Sequence, residues 1–455
     1  VAWRISDEPW MGWSRRALDN AKIRLSAGSM GNGNVSPYSY TSEMTVSTAD
    51  DIVLGGSYPS YTSVGSTVPV SLTWEKSTTY DVGLDLDFFN NRLSVSGDYY
   101  RRYTTDMYTA SVALPAVYGT GSPKGNNAEM KTDGWELSLS WRDSFKLGGK
   151  PFDYSIKAMV WDSKSVITKY VNDTGSLGTV KGFIENGGSP SSYYVGMTVG
   201  EIWGYTVAGL FRDQADIDSS AIHDFVQASD KVTRPGQVKI ADLDGNGFID
   251  PGNFAVDDHG DLRIIGNQSP RYRYGVNLSA RWNGIGLSVF LQGVGARDWY
   301  PGSDAGMFWG KYGRPFFALI PSIHNYTDDM YSAERNNWDT AYWPRMTTYQ
   351  SNGTKNWTRL LEIPNTRYIQ SAAYLRVKNI QLDYSFPKHI CSAIRLQGLK
   401  IYVNAENLFT FTPLHKYAPN FDPEGLSYDS DFASAADGYT YPILKSVTVG
   451  VNITF

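Results

Sequence analysis

Residues 446–455 read "SVTVGVNITF", and how this stretch is read decides the fold. Val447, Val449, Val451, Ile453 and Phe455 share one parity, while Ser446, Thr448, Gly450, Asn452 and Thr454 share the other. A period of two marks a strand whose two faces meet different surroundings. Those surroundings are either a protein core and water, as in a soluble sandwich, or a lipid bilayer and a polar lumen, as in a membrane barrel.

The alternation recurs upstream. Tyr80, Val82, Leu84, Leu86 and Phe88 alternate with Thr79, Asp81, Gly83, Asp85 and Asp87, turn at Asn90-Asn91, and return through Leu93, Val95, Gly97 and Tyr99. Tyr272, Tyr274, Val276, Leu278, Ala280 and Trp282 alternate with Arg273, Asn277, Ser279 and Arg281. Asn283-Gly284 then gives a type I′ hairpin signal, and Ile285, Leu287, Val289 and Leu291 return. Trp135, Leu137, Leu139 and Trp141 lead through "SFKLGGK" to Phe152, Tyr154, Ile156 and Ala158; Ile380, Leu382, Tyr384 and Phe386 lead to Ile401, Val403 and Ala405. Beginning near Ala21–Ala27, the chain holds about eleven or twelve candidate strands.

Hairpin turns are short, but the stretches between hairpins are long: about 103–133, 163–270, 295–371 and 410–442. Short turns at one end and long loops at the other are the habit of outer-membrane barrels, whereas a sandwich needs a turn every eight to twelve residues. Tyr80, Phe88, Tyr99, Trp135, Trp141, Tyr272 and Trp282 stand near strand ends, where interfacial aromatics belong. Asp81, Asp85 and Asp87, or Arg273 with Arg281, would need partners in an apolar core; facing a wet lumen they need none.

Composition narrows the choice without settling it. The 455 residues include 31 Tyr, 14 Trp and 19 Phe, yet mean hydropathy is -0.35 and no apolar run is long enough for a helical membrane span. A net charge of -5 argues against a nucleic-acid footprint, so no nucleic-acid partner is expected. A single cysteine, Cys391, excludes an internal disulfide framework. The opening "VAWRISDEPW" lacks an initiator Met, a charged n-region and an apolar h-region, so the expectation is a removed leader or a piece of a longer chain.

The segments "LDNAKIRLSAGSMGN", "LTWEKSTTYDVGLDLDFFNNRLSVSGDYYRR", "GWELSLSW", "GDLRIIGNQSPRYRYGVNLSARWNGIGLSVFLQGVGARD", "YLRVKNIQLDYSFP" and "IYVNAENLFTFT" resemble, in order, the C-terminal part of SusC/RagA-type TonB-dependent outer-membrane transporters. The likeness runs from about residue 20 to Phe455. It implies an all-β fold: a transmembrane antiparallel β-barrel, of which residues 1–455 are about the C-terminal half of a 22-strand barrel, with 212–262 and 298–370 as long extracellular loops. The plug and the earlier strands would lie upstream in a longer polypeptide, and the final strand resembles the signal for outer-membrane barrel assembly. The resemblance further implies residence in the outer membrane of a Gram-negative bacterium and TonB-energised import of oligosaccharides or peptides. The implied partners are a SusD-like surface lipoprotein, the TonB complex acting through the plug, outer-membrane lipid, and a second transporter–lipoprotein pair. No bond is broken in import, so the chain is expected not to be an enzyme and no catalytic residue is assigned. The alternative is a secreted, soluble carbohydrate-binding or carbohydrate-cleaving β-protein, whose apolar stripe would face a core.

Two local patterns suggest sites. In "DLDGNGFID", Asp242, Asp244, Asn246 and Asp250 take offsets one, three, five and nine, Gly247 the sixth, and Phe248 offers a backbone carbonyl, as in the first part of an EF-hand calcium loop. Position twelve is Asn253 rather than Glu, with Asp257 or Asp258 as substitutes; the competing reading is a plain Asp/Asn/Gly turn. A bound calcium ion would order the 212–262 excursion. The second pattern is aromatic: Trp299, Trp309, Trp338 and Trp343 offer flat faces that suit sugar rings, or they pack the loop on itself, the commoner role for such residues. The five histidines show no HExxH or other ligand spacing, and no GxSxG elbow is present.

Overall fold

The computed structural model describes residues 1–14, 17–33, 41, 44–65, 72–111, 117, 124–179, 183, 188–223, 233–301, 308, 329–345, 364–426 and 443–455. Eleven strands make one antiparallel meander: β1 (Ala2–Arg4), β2 (Leu18–Asn32), β3 (Glu75–Phe88), β4 (Leu93–Ala110), β5 (Lys124–Leu147), β6 (Lys150–Lys169), β7 (Arg271–Trp282), β8 (Ile285–Ala296), β9 (Tyr374–Ser385), β10 (Gly398–Phe411) and β11 (Ser446–Thr454). Each strand pairs with its neighbours in chain order, and among the described residues β1 and β11 are the two edges.

Register sorts the side chains into two faces. One cross-strand row runs Leu18–Phe88–Leu93–Trp141–Ile156–Leu278–Val289–Ile380–Ala405–Val447 over ten strands. The adjacent row, on the opposite face, runs Asn20–Asp87–Ser94–Ser140–Lys157–Asn277–Phe290–Asn379–Glu406–Ser446 and is polar but for Phe290. Among the described residues nothing covers much of the apolar face: Leu84, Leu137, Leu139, Ile156, Leu287, Leu382, Val403 and Val449 are all exposed. The stripe that a soluble sandwich would turn onto a core is therefore bare, and the large buried cluster is built from the connections instead.

Turns at one end are tight. Gly148-Gly149 and Asn283-Gly284 take positive φ, the backbone that lets a two-residue reversal follow the strand twist, and Phe89, Asn90 and Asn91 take positive φ in the four-residue turn from Phe88 to Leu93. The same end carries the 3-10 turns of residues 5–14 and a short helix, α1 (Lys388–Ala393). At the other end the connections 33–74, 170–270, 297–373 and 412–445 are long. The expected excursion at 103–133 is mostly strand, because the β4–β5 ladder continues to Ala110 opposite Lys124. Register shifts around Met107, with Asp106 at φ 58°, interrupt the alternation there and so hide the strand in the sequence.

Candidate functional site

The polar face is not a row of free charges. Arg24 meets Asp85 through Nε (2.9 Å) and Nη2 (3.1 Å), and Asp98 at 2.8 Å; Asn20 donates to Asp87 at 2.9 Å. Gly83 lies between Arg24 and Asp98 in register, and a Cβ there would stand 2.7 Å from Arg24 Cζ. The glycine thus clears the path for an arginine to bridge three strands. Asp85 and Asp87, which a wet lumen would let stand unpaired, nonetheless take donors from a neighbouring strand at cross-strand distance. Nearer the short turns, Arg92, Arg142, Arg281, Lys400, Asp143, Asp153 and Asp383 line a concavity of about 850 Å³ on this face.

The long connections fold together. Trp299 packs against Phe421 (4.9 Å) and Phe308 (6.1 Å), Phe308 against Trp343 (5.2 Å), and Trp343 stacks on Tyr368 (5.8 Å). Tyr342 and Tyr417 stack at 3.6 Å with planes 5° apart. Arg297 ties three connections by donating to the carbonyls of Gln268 (3.1 Å), Pro423 (3.1 Å) and Leu426. Buried Arg376 on β9 holds Asp422 at 2.6 Å and Glu424 at 3.2 Å, and Lys378 adds a contact to Glu424 at 2.9 Å. Three connections therefore form one body bolted to the wall.

That body answers where the aromatic candidates sit. Trp299 and Trp343 are 1 % and 0 % exposed, interior packing residues with no face free for a sugar ring. Trp338 is half-buried against the same core, and Trp309 lies outside the described residues. Sequence reasoning missed Arg297 and Arg376, whose partners are far away in the chain.

In the acidic loop, Asp242 accepts from Gly245 N (2.6 Å) and Gly247 N (3.0 Å), and both glycines have positive φ. Asn246 donates to Asp244 (3.2 Å) and Asp250 (3.1 Å) and accepts from Phe248 N (2.7 Å). The carboxylate that joins Asp242 and Asp244 is neither Asp257 nor Asp258 but Asp261; ligand atoms of these three lie within 4.8 Å of one another. Asp261 is fully buried and accepts from Leu243 N (2.6 Å) and Asp250 N (3.1 Å). Burial first, then the nearby carboxylates of Asp244 and Asp242, push its carboxyl above the ordinary range. The Gly247 amide leads the donors that pull Asp242 below it. An all-oxygen donor set of this kind suits a hard divalent cation.

An antiparallel wall with one bare apolar face, one wet polar face, tight turns at one end and folded connections at the other is the wall of a transmembrane β-barrel. The chain belongs to the family described as TonB dependent receptor-like, beta-barrel, whose profile matches residues 13–252, more than half of it. It is similar over its whole length to TonB-dependent receptor P3 of Formosa agariphila, at 26% identity and 41% of that relative. It is likewise similar to TonB-dependent receptor SusC of Bacteroides thetaiotaomicron, at 24% identity and 39% of that relative. It shares the fold of the RagAB peptide importer in its open-open state, with a TM-score of 0.69 at 19% identity, covering 100% of this chain and 42% of the other. The chain thus spans about two-fifths of the length of the curated relatives it matches. Among the described residues no helix is long and apolar enough to cross a membrane, which leaves spanning by strands open.

Proposed function

We propose that this chain is the later part of the barrel of an outer-membrane transporter of a Gram-negative bacterium, importing oligosaccharides or peptides with energy delivered through TonB. The plug that TonB would pull and the remaining strands would belong to a portion of such a transporter beyond the two-fifths of its relatives' length that this chain spans. A SusD-like lipoprotein would sit over the long connections, and two such pairs would associate. The observation that carries this reading is the apolar row that runs across ten strands beside its polar neighbour, on a face whose Leu84, Leu137, Ile156, Leu287, Leu382, Val403 and Val449 are exposed, in a member of this receptor family. The soluble carbohydrate-binding alternative has no support in that bare face. The barrel has no bond-making step to perform, and no residue is assigned to catalysis.

The test is gentle detergent extraction of the native outer-membrane complex, followed by mass spectrometry and by uptake of labelled peptides and oligosaccharides with and without TonB. Co-purification of a surface lipoprotein and uptake that stops without TonB support the proposal. Extraction of the protein without detergent, or uptake indifferent to TonB, overturns it.

A further inference from the structure

We propose that Glu136, Trp161 and Arg273 form a binding site on the polar face of the wall for a short stretch of imported peptide, with a cationic group at one end and a carboxylate at the other. The inference rests on the transporter reading above and selects peptides over oligosaccharides as the solute that this site takes.

The starting observation is an interruption. Phe290 is the one apolar side chain in its otherwise polar cross-strand row, and it has company on that face. Phe290 and Met159 converge over Gly275, where an added Cβ would stand 3.4 Å from Phe290 Cε2 and 3.6 Å from Met159 Cγ. Met159 pairs with Gly275 in register, and Trp161, two residues further along β6, shares its parity and is half-buried. An apolar platform of Phe290, Met159 and Trp161 therefore interrupts the polar face.

Charge brackets this platform. Trp161 is in register with Glu136 of β5 on one side and with Arg273 of β7 on the other. Both are exposed, and among the described residues neither side chain has an ion-pair or hydrogen-bond partner, whereas Arg24, Asp85 and Asp98 on the same face are joined across strands. Two strands apart, Glu136 and Arg273 stand about 10 Å from each other along the backbone. That is the span of about three residues of extended chain. An indole between a carboxylate and a guanidinium matches a peptide: an apolar side chain rests on the ring, the cationic end meets Glu136, and the carboxylate takes the planar fork of Arg273. A neutral sugar would use the indole and leave both charges unmatched.

Position agrees with passage of a solute. The same row continues from Arg273 to buried Val294 and Tyr374, two residues from the Arg376 that bolts the loop body to the wall. The concavity lined by Arg142, Arg281 and Lys400 lies further toward the tight turns. A solute moving from the long connections to the short-turn end meets the platform between them.

The full-length transporter, purified in detergent, is photolabelled with a tripeptide of alanine, benzoylphenylalanine and alanine that has free termini, and the labelled residues are mapped by mass spectrometry. The expected result is label at Met159 or Trp161 that excess Ala-Phe-Ala displaces and maltotriose does not. Labelling should fall about tenfold in Glu136→Gln, in Arg273→Gln, and with the N-acetylated, C-amidated tripeptide. Equal labelling in the wild type and both variants overturns the site. Label confined to other residues also overturns it, since another part of the transporter then fills this stretch of the lumen. Uptake of the tripeptide and of maltotriose by cells with and without TonB separates the two proposals. TonB-dependent uptake of either solute without label on the platform overturns the site and spares the transporter. Uptake of both that ignores TonB overturns the transporter reading, whatever the labelling.

Discussion

Leu287 and Ser288 are neighbours in the chain and belong to opposite environments. Leu287 lies in register between Ala280 and Leu382 on the bare apolar face, and Ser288 between Ser279 and Gln381 on the polar one. An arginine at Leu287, two residues in from the Trp282–Ile285 pair at the tight turn, should cost about 1 kcal/mol, short of the roughly 2 to 4 kcal/mol of a midplane position, while Ser288→Arg should be tolerated. Urea-unfolding titrations of the reconstituted protein compare the two. Equal damage at both positions would count against the assignment of faces.

Gly83→Ala tests the three-strand bridge made by Arg24. The added methyl collides with the Arg24 guanidinium and Asp98, neither of which can retreat without breaking its partner bonds. A loss of about 1 to 3 kcal/mol is expected from overpacking of this kind. Gly28→Ala, also on β2–β3 but with nothing within 4 Å of the new Cβ, should be neutral. If the two variants unfold alike in the same titration, Gly83 does not serve the bridge.

The wall was legible in the sequence because a two-sided strand writes its register as period two, and Asn283-Gly284 names its own turn. The reading lost the top of β4 where bulges near Asp106 break that period. It also could not see the loop body. Trp299 and Trp343 look alike as candidates for ligand stacking or for packing until contacts with Phe308, Tyr368 and Phe421 place them inside, and those contacts span separations with no periodic trace. The acidic motif gave Asp242 and Asp244 through local spacing, but Asp261 joins them only once the chain has looped back.

That returning carboxylate makes the cation question testable. With Asp242 and Asp244 facing buried Asp261, calcium should raise the protease resistance of the 242–262 segment in the purified protein, and Asp261→Asn should abolish the gain. An equal calcium response in wild type and variant would place any ion elsewhere. No response in wild type would leave the segment a turn held by its own hydrogen bonds.

His223 provides a pH dependence within the loop body. Its ring is almost fully buried, edge-on to Phe211 at 5.1 Å, with Nδ1 donating to Ala221 O at 2.8 Å and Nε2 accepting from Ile240 N at 2.9 Å. A proton on Nε2 would remove the acceptor that Ile240 uses. Burial, opposed by the Ala221 carbonyl and aided by Lys239, holds the imidazole below its ordinary range. The sign follows: above about pH 6.5 the ring is neutral whether this segment is folded or open, and its contribution is complete. As pH falls from there toward the lowered folded value, the open form takes up the proton first, so local stability declines across that window. Amide exchange at Ile240, corrected for intrinsic rate, should therefore show falling protection on acidification, and His223→Gln, which does not titrate there, should flatten the profile. Unchanged protection in wild type would mean that His223 gains its proton in the folded state without disturbing Ile240.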